Sequence, residues 1–228
     1  MLQWLAMITM LIDHLGYAFF PDERYLRVIG RLAFPIYCYF IVVGYSYTRN
    51  KGNYAGRLLT IAVLAQFPFM FAFNIQNLNV VFTLLFGLLL ILAIDRIPKP
   101  YFPLSILLAL AVAWIAEALH TDYGAYGILL ILIFRYAQGY WRVLLHLMMD
   151  ILFLLGHLNS SIQIYSVLAT LLITVSEQVQ VQQMSKSPTE RPSWLGWLQP
   201  PRWLWRAFYP AHLAIIAIIV QGSAYGYL

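Results

Sequence analysis

Charged residues are scarce in this sequence, and their scarcity decides the class of protein. Of 228 residues, only 10% are Asp, Glu, Lys or Arg, whereas 62% are hydrophobic and 16% are aromatic. A soluble domain carries about 25% charged residues, so this chain has too few to cover the surface of a water-soluble globule. The composition excludes a soluble enzyme, a nucleic-acid-binding module and a disordered chain. It predicts a polytopic membrane protein.

Cysteine is also scarce, because Cys38 is the only one. A single cysteine excludes a disulfide framework within the chain and a Cys-rich metal site, and we expect no metal cofactor. Cys38 stands among large apolar residues and is expected to be a small core residue, not a reactive thiolate. The sequence also lacks a tandem repeat and lacks the two matching halves with broken helices that are typical of many transporters.

Hydrophobic runs predict an all-α bundle of about nine transmembrane helices in a single domain over residues 1–228, since one span needs about 20 apolar residues. The first run contains no Lys or Arg in its first ten residues and no small-residue cleavage site, so it is expected to be a retained span. The predicted spans are 3–20, 29–48, 56–73, 79–94, 103–119, 124–137, 140–157, 161–179 and 205–222.

The basic residues predict the orientation of these helices. With the N-terminus inside and the C-terminus outside, eleven of the 14 basic residues fall in the cytoplasmic connections, as the positive-inside rule requires. These connections are 49–57, 95–102, 135–142 and 180–206, and their basic residues are Arg49, Lys51, Arg57, Arg96, Lys99, Arg135, Arg142, Lys186, Arg191, Arg202 and Arg206. Only Arg24, Arg27 and Arg31 remain on the opposite side.

Polar residues inside the spans are candidates for function, because each ionisable group there costs about 2.5–3.5 kcal/mol on insertion scales. Asp13 and His14 are adjacent in the first helix, and adjacent helical side chains do not face each other. We therefore expect Asp13 to pair with a cation on another helix, such as Arg31, and His14 to face the reacting groups. The alternative is a structural Asp–Arg pair beside a hydrogen-bonded histidine. Asn79, Thr83 and Asp122 are predicted at a similar outer depth, where they could line one wetted cavity with Arg31.

Several segments in the same order along the chain resemble the conjugal-transfer TraX family. They are IDHLGYAFFP, LRVIGRLAFPIYCYFIVVGYSYTRN, YAGRLLTIAVLAQFPF, NVVFTLLFGLLL, DYGAYGILLI and FYPAHL, and they span residues 12–213. The specific motifs are IDH-x-G and GR-x-AFP-x-Y. The named member of that family is associated with N-acetylation of F-pilin. The family is also similar to a wider group of membrane acyltransferases that includes the lysosomal heparan-glucosaminide acetyltransferase, in which acetyl-CoA comes from the cytoplasm and the acceptor is modified from the far side.

The resemblance implies a multi-pass acetyltransferase of the bacterial inner membrane. It implies His14, Asp13 and Arg31 as catalytic residues, with the acyl donor acetyl-CoA as the only cofactor. The acceptor would carry a free amine, such as a pilin N-terminus, an amino sugar or a small amine; a hydroxyl acceptor stays open. The residues expected to contact the acceptor or line the site are Tyr17, Asn79, Thr83, Asp122, Tyr123 and His212.

Acyl transfer needs a base for the acceptor, and a histidine with an unperturbed pKa near 6.5 suits this role when it starts neutral. We expect Arg31 or the Asn79 amide to stabilise the oxyanion. The phosphates of CoA need cationic partners, and the expected ones are Arg49, Arg57, Arg135 and Arg142, with positive-inside topology as the alternative explanation. Direct transfer is preferred, and an acyl-histidine on His14 stays open. The competing functions are a secondary transporter or proton-coupled permease with Asp13, His14 and Arg31 as a relay, and a non-catalytic conjugation component.

Overall fold

The structure is a computed structural model that describes residues 1–156, 158–184 and 199–224. Lys186 and Arg191, which the orientation argument uses, lie outside the described residues, as does residue 157, the predicted end of one span. The described residues cluster into two compact units. The first unit comprises Met1–Ile36 and Ala137–Arg206, and the second comprises Tyr37–Tyr136 and Ala207–Leu228.

The described part of the chain is α-helical and contains no β-strand, which confirms the predicted class. Each of the nine predicted apolar runs contains a helix. The helices are α1 (Leu2–Phe19), α2 (Arg24–Gly30), α3 (Ala33–Tyr47), α4 (Lys51–Phe73), α5 (Val80–Ile94), α6 (Phe102–Ala118), α7 (Gly124–Tyr136), α8 (Gly139–Gly156), α9 (Val167–Met184) and α10 (Arg202–Ala224). Two 3₁₀ helices, Lys99–Tyr101 and Leu158–Ser166, precede α6 and α9.

The second predicted span differs from the prediction because it starts earlier and is broken. Helix α2 ends at Gly30, and α3 begins at Ala33. Pro35 has no N–H to donate to the carbonyl of Arg31, so the α-helical hydrogen-bond ladder is interrupted there. Arg24 and Arg27, which the sequence places in a connection, lie instead in α2. The break leaves Arg31 at the junction of two helices.

Six helical segments are long and apolar enough to cross a membrane, by length and composition. They are Arg24–Tyr47, Lys51–Phe73, Lys99–Ala118, Gly139–Gly156, Ser161–Val179 and Arg202–Ser223. Val80–Ile94 and Gly124–Tyr136 are shorter apolar helices. Helix α6 exposes Leu107, Leu110 and Trp114, each more than half accessible, as a lipid-facing helix does. The chain is thus a multi-pass membrane protein; the number of nine spans and the orientation stay predictions.

In the first unit, α1 packs against α2, and α8 packs against α9 and the 3₁₀ helix Leu158–Ser166. The same 3₁₀ helix contacts α2. It therefore connects the helix pair at the start of the chain with the helix pair that begins at residue 139.

In the second unit, α5 packs against α4, α6 and α7. Leu90, Ala113, Ala116 and Ile128 form its apolar core, and a Cβ on Gly87 would overlap the side chain of Ile131, so α5 and α7 approach closely. Cys38 is fully buried, as expected of a core residue.

Candidate functional site

The carboxylate of Asp13 in α1 is held by two arginines of the first unit. Asp13 Oδ2 lies 2.8 Å from Arg27 Nη1, and Asp13 Oδ1 lies 3.4 Å from Arg31 Nη2. Arg27 also donates to the backbone carbonyl of Asp13 at 3.2 Å. The expected pair of Asp13 with Arg31 is present, and Arg27 is the closer partner. These three side chains together carry one net positive charge.

Two glycines allow α1 and α2 to approach closely enough for this contact. A Cβ on Gly16 would lie 2.7 Å from the Cβ of Leu26, and a Cβ on Gly30 would overlap the carboxylate of Asp13. Gly16 is the glycine of IDH-x-G, and Gly30 is the glycine of GR-x-AFP. The two motifs therefore encode one arrangement, in which small residues bring a carboxylate of α1 against arginines of α2.

His14 follows Asp13 in α1 and is buried, with 9% of its surface exposed. Consecutive helical side chains diverge by about 100°, so the Asp13–Arg pairs do not orient the imidazole directly. Tyr17 is partly exposed, and the guanidinium carbon of Arg27 lies 4.9 Å from the centre of its ring. Asp13, His14, Tyr17 and Arg31, all predicted site residues, thus belong to α1 and the end of α2 in one unit.

Arg31 has a further partner that is distant in sequence. Its Nη1 donates to Oε1 of Gln163 at 3.2 Å, across 132 positions of the chain. Gln163 lies in the 3₁₀ helix before α9. The guanidinium of Arg31 therefore connects α1 and α2 with the second part of the first unit.

The remaining predicted site residues belong to the second unit, and Asn79 caps one of its helices. Asn79 is fully buried, and its Oδ1 accepts a hydrogen bond from the backbone N–H of Val81 at 3.0 Å. Its Nδ2 donates to the carbonyl of Ala62 at 2.8 Å and to Gln66 Oε1 at 2.9 Å. An amide NH₂ has two hydrogens, and both are used. These contacts give Asn79 a structural role, and its donation to an oxyanion stays a prediction.

Tyr209 of α10 is buried, and its ring lies 5.8 Å from that of His212. Asp122 and Tyr123 lie in the turn before α7, where the Asp122 N–H donates to the Leu78 carbonyl at 2.9 Å. His212 Nδ1 is 2.6 Å from the carbonyl of Phe208, one turn earlier. Thr83 is fully buried, and its hydroxyl makes no hydrogen bond among the described residues.

The four arginines expected to bind CoA differ in their partners. Arg49 and Arg57 are exposed on the second unit. Arg135 donates to Asp95 at 2.6 Å, and the buried Arg142 donates to Glu177 at 2.7 Å. Arg135 and Arg142 are thus already neutralised by carboxylates, whereas Arg49 and Arg57 are exposed, with the guanidinium carbon of Arg57 5.8 Å from the centre of the Tyr54 ring.

Asp95 connects three helices at the end of α5. It accepts hydrogen bonds from Tyr45 at 2.7 Å, from Arg135 at 2.6 Å and from Tyr136 at 3.0 Å. Partial burial opposes ionisation, but these hydrogen bonds outweigh it and hold the pKa of the Asp95 carboxyl below its ordinary value. Asp95 is therefore an ionised hub that joins α3, α5 and α7.

Comparison with known proteins decides the family. The family model described as TraX protein matches residues 1–220. The chain belongs to the TraX family.

This TraX-family chain is similar in sequence to proteins of two bacteria, Dichelobacter nodosus and Rickettsia prowazekii. It is 36% identical over 148 residues to a protein of Dichelobacter nodosus named "Probable fimbrial assembly protein FimC, serogroup H1", covering 58% of this chain and 59% of that protein. It is 43% identical over 47 residues to the uncharacterized protein RP591 of Rickettsia prowazekii (strain Madrid E), covering 21% of this chain and 18% of that protein. The chain thus spans less than two thirds of the length of either relative. No solved structure matches it.

The family motifs account for the first-unit site, but sequence reasoning missed several of its partners. Arg27 was expected only as an outer-side cation, and Gln163 was not expected at all. One signal for Arg27 was its spacing of four residues before Arg31, which places both on one face of a helix. Gln163 carried no comparable signal, because its contact depends on the packing of segments more than a hundred residues apart.

Proposed function

We propose that this TraX-family chain is a membrane-embedded acetyltransferase, which transfers an acetyl group from acetyl-CoA to an amine. The observation that carries the proposal is the pair of arginines held around Asp13, immediately beside a buried His14. Asp13 neutralises one guanidinium and leaves one net positive charge. An anionic tetrahedral intermediate, or the departing CoA thiolate, is stabilised by such a charge in a site that excludes water.

His14 is the proposed general base. The acceptor ammonium must lose a proton before its nitrogen attacks the thioester carbonyl, and a neutral imidazole accepts that proton. The imidazolium then returns this proton to the departing thiolate as the C–S bond breaks, and the nitrogen loses its second proton to leave the neutral amide. Asp13 is occupied by two arginines, so its proposed role is to position Arg31, which donates to the oxyanion. Because both Asn79 hydrogens are used, Arg31 alone is assigned this task.

On the donor side, Arg49 and Arg57 are the proposed ligands of the CoA phosphates. Both are exposed, and positive charge there matches the charge of a nucleotide phosphate. Arg135 and Arg142 are weaker candidates, because Asp95 and Glu177 already neutralise them. In this proposal the protein lies in the bacterial inner membrane, and acetyl-CoA reaches it from the cytoplasm.

The acceptor is proposed to be an amine that reaches the site from the outer side, and Asp122 and Tyr123 of the second unit are proposed to bind it. A carboxylate attracts an ammonium group, which favours an amine over a hydroxyl. The name of the Dichelobacter nodosus relative, a fimbrial assembly protein, favours a pilin-type subunit with a free N-terminus. An amino sugar and a small amine are the other acceptors that the test includes.

The proposal is tested with purified protein in lipid nanodiscs, acetyl-CoA, and peptide, amino-sugar and small-amine acceptors, with acetylated product measured by mass spectrometry. His14→Ala should lower the rate by about 10²–10⁴-fold, the usual contribution of a general base, without changing the melting temperature. His120→Ala is the matched control, because His120 is exposed. Full activity of His14→Ala would remove His14 from the mechanism.

A binding measurement separates this function from its competitors. A ligand that binds the native state raises its melting temperature, so acetyl-CoA should stabilise the purified protein. If acetyl-CoA produces no shift and no acceptor is acetylated, the enzyme proposal fails. The transporter and the assembly component then remain.

A further inference from the structure

A second buried polar cluster lies in the first unit, between α8, α9 and the 3₁₀ helix that precedes α9. Its members are His146, Asp150, Ser166 and Thr170, and each is at most 3% exposed. All four lie within the candidate spans Gly139–Gly156 and Ser161–Val179. An ionisable pair at this position is expensive to insert and is by default a candidate functional site. The mechanism above does not use it.

Both ring nitrogens of His146 contact hydroxyl groups. Nδ1 lies 2.6 Å from Thr170 Oγ1, and Nε2 lies 3.0 Å from Ser166 Oγ. The single hydrogen of Ser166 goes to Asp150, so Ser166 accepts from Nε2–H, whereas the Thr170 hydroxyl can donate to a neutral Nδ1 or accept from a protonated one. His146 can therefore gain or lose a proton without losing a hydrogen-bond partner. A histidine with only a structural role does not need this freedom.

Asp150 completes the cluster one helical turn after His146. Its Oδ2 accepts from Ser166 Oγ at 3.2 Å, and its Oδ1 lies 3.7 Å from His146 Nε2. The pair is neutral overall when His146 is protonated and Asp150 is ionised. Two groups this close titrate as a coupled unit, so the pair can store a proton inside the membrane and release it at the cost of one buried charge.

The helices packed against this pair carry the charged and polar groups that surround it. On α8 itself, Arg142 lies one turn before His146 and is paired with Glu177 of α9. The 3₁₀ helix contributes Ser166 and Gln163. Residues i and i+3 eclipse in a 3₁₀ helix, so Gln163 and Ser166 lie on the same face of it.

Gln163 connects the two polar clusters of the first unit. Its Oε1 accepts from Arg31, while Ser166 contacts both His146 and Asp150. Gln163 Nε2 is buried and makes no hydrogen bond among the described residues, so both hydrogens of this amide are unused at the junction. The 3₁₀ helix thus contacts Arg31 through Gln163 and the His146–Asp150 pair through Ser166, three residues later.

We propose that His146 and Asp150 form an intramembrane proton-binding site, linked to the Asp13–Arg31 cluster by the 3₁₀ helix that carries Ser166 and Gln163. Its coupling to chemistry rests on the proposed function. When an ammonium acceptor attacks a thioester, the C–S bond breaks, the amide C–N bond forms, and the products are an amide, a thiol and one proton. The site takes up that proton.

Proton binding is tested without any measurement of activity. The protein is labelled with ¹⁵N-histidine, embedded in lipid nanodiscs and titrated by NMR, and the His146 signal is the one absent from His146→Gln. We expect the imidazole to change its protonation state with pH. In Asp150→Asn its midpoint should move to lower pH by about one unit or more, because a neighbouring negative charge is lost. His120→Gln, outside the cluster and exposed, should leave the His146 titration unchanged.

A His146 ring that keeps one protonation state between about pH 4 and 10, or a midpoint that Asp150→Asn leaves in place, overturns the proposal. The wild-type titration alone decides it if Asp150→Asn does not fold. If His146 titrates but the protein acetylates no acceptor, the proton-binding site is supported and the proposed function is contradicted. If the protein acetylates an acceptor but His146 does not titrate, only the proton-binding site is contradicted. If His146 titrates and the protein also acetylates an acceptor, Asp150→Asn should shift the pH dependence of the acetylation rate.

Discussion

Gly30 and Asp13 are in such close contact that no side chain fits between them, since a Cβ at residue 30 would overlap the Asp13 carboxylate. One residue later, Arg31 pairs with that same carboxylate. The absence of a side chain at Gly30 and the charge of Arg31 therefore act together: they hold the Asp13 carboxylate at the junction of α2 and α3, beside the buried His14.

Gly30→Ala should destabilise the protein and impair the site. The added methyl group displaces Asp13 from its arginines, and overpacking of this kind costs about 1–3 kcal/mol. We expect a lower melting temperature in detergent and a loss of acetylation. Gly56→Ala in α4 is the matched control, because a Cβ there meets open space and alanine is favoured over glycine in a helix by about 0.5–1 kcal/mol. Equal melting of Gly30→Ala and wild type would show that Asp13 is not confined by residue 30.

Asn79→Ala should cost more stability than Asn50→Ala, although both residues are helix N-caps. Asn50 accepts from the backbone N–H of Asn53 at 2.9 Å and is exposed, so its loss should cost about 1 kcal/mol. Asn79 is buried and also donates to the Ala62 carbonyl and to Gln66 Oε1, so its removal breaks two further hydrogen bonds at an additional cost of about 1–3 kcal/mol. Chemical or thermal unfolding of the two variants measures the difference. Equal losses would contradict a second structural role of Asn79.

The hydrogen bonds to Asp95 should make stability depend on pH in the acidic range. Since the folded-state pKa of Asp95 is below its unfolded value, its contribution is fully present above the unfolded pKa, near 3.9. It is lost as the pH falls through the folded-state pKa. Melting temperatures of wild type and Asp95→Asn, measured from about pH 7 down to 3, should therefore converge as the pH falls below about 4. A constant difference across this range would contradict an ionised Asp95 hub.

Arg49→Gln and Arg57→Gln should weaken binding of acetyl-CoA, each by about tenfold, which corresponds to about 1.4 kcal/mol. If one of these arginines contacts the 3′-phosphate, its substitution should affect acetyl-CoA but not the dephospho form. Isothermal titration with both ligands measures this. Arg24→Gln is the control, because Arg24 is equally exposed but is predicted on the opposite side of the membrane. An equal effect of Arg24→Gln would indicate nonspecific attraction of the anion.

Much of the fold could be predicted from the sequence, because apolar runs depend only on local composition. Each predicted run contains a helix, and Cys38 is buried as expected. The break between α2 and α3 was missed, although its cause, Pro35, is visible in the sequence. The pairing of Asp13 with Arg31 could be predicted because a buried carboxylate needs a cation, and few cations are available on that side.

The sequence by itself determined the membrane class, the helices and the two glycine-containing motifs, since each follows from composition or short-range spacing. Only the tertiary structure decided which polar groups meet. The Arg31–Gln163 contact joins residues 132 positions apart. His146 and Asp150 have a helical i,i+4 spacing, but Ser166 and Thr170 complete their cluster from segments packed against α8. Hydrogen bonds inside a membrane depend on these long-range approaches, because a buried polar group must find its partner wherever packing places one.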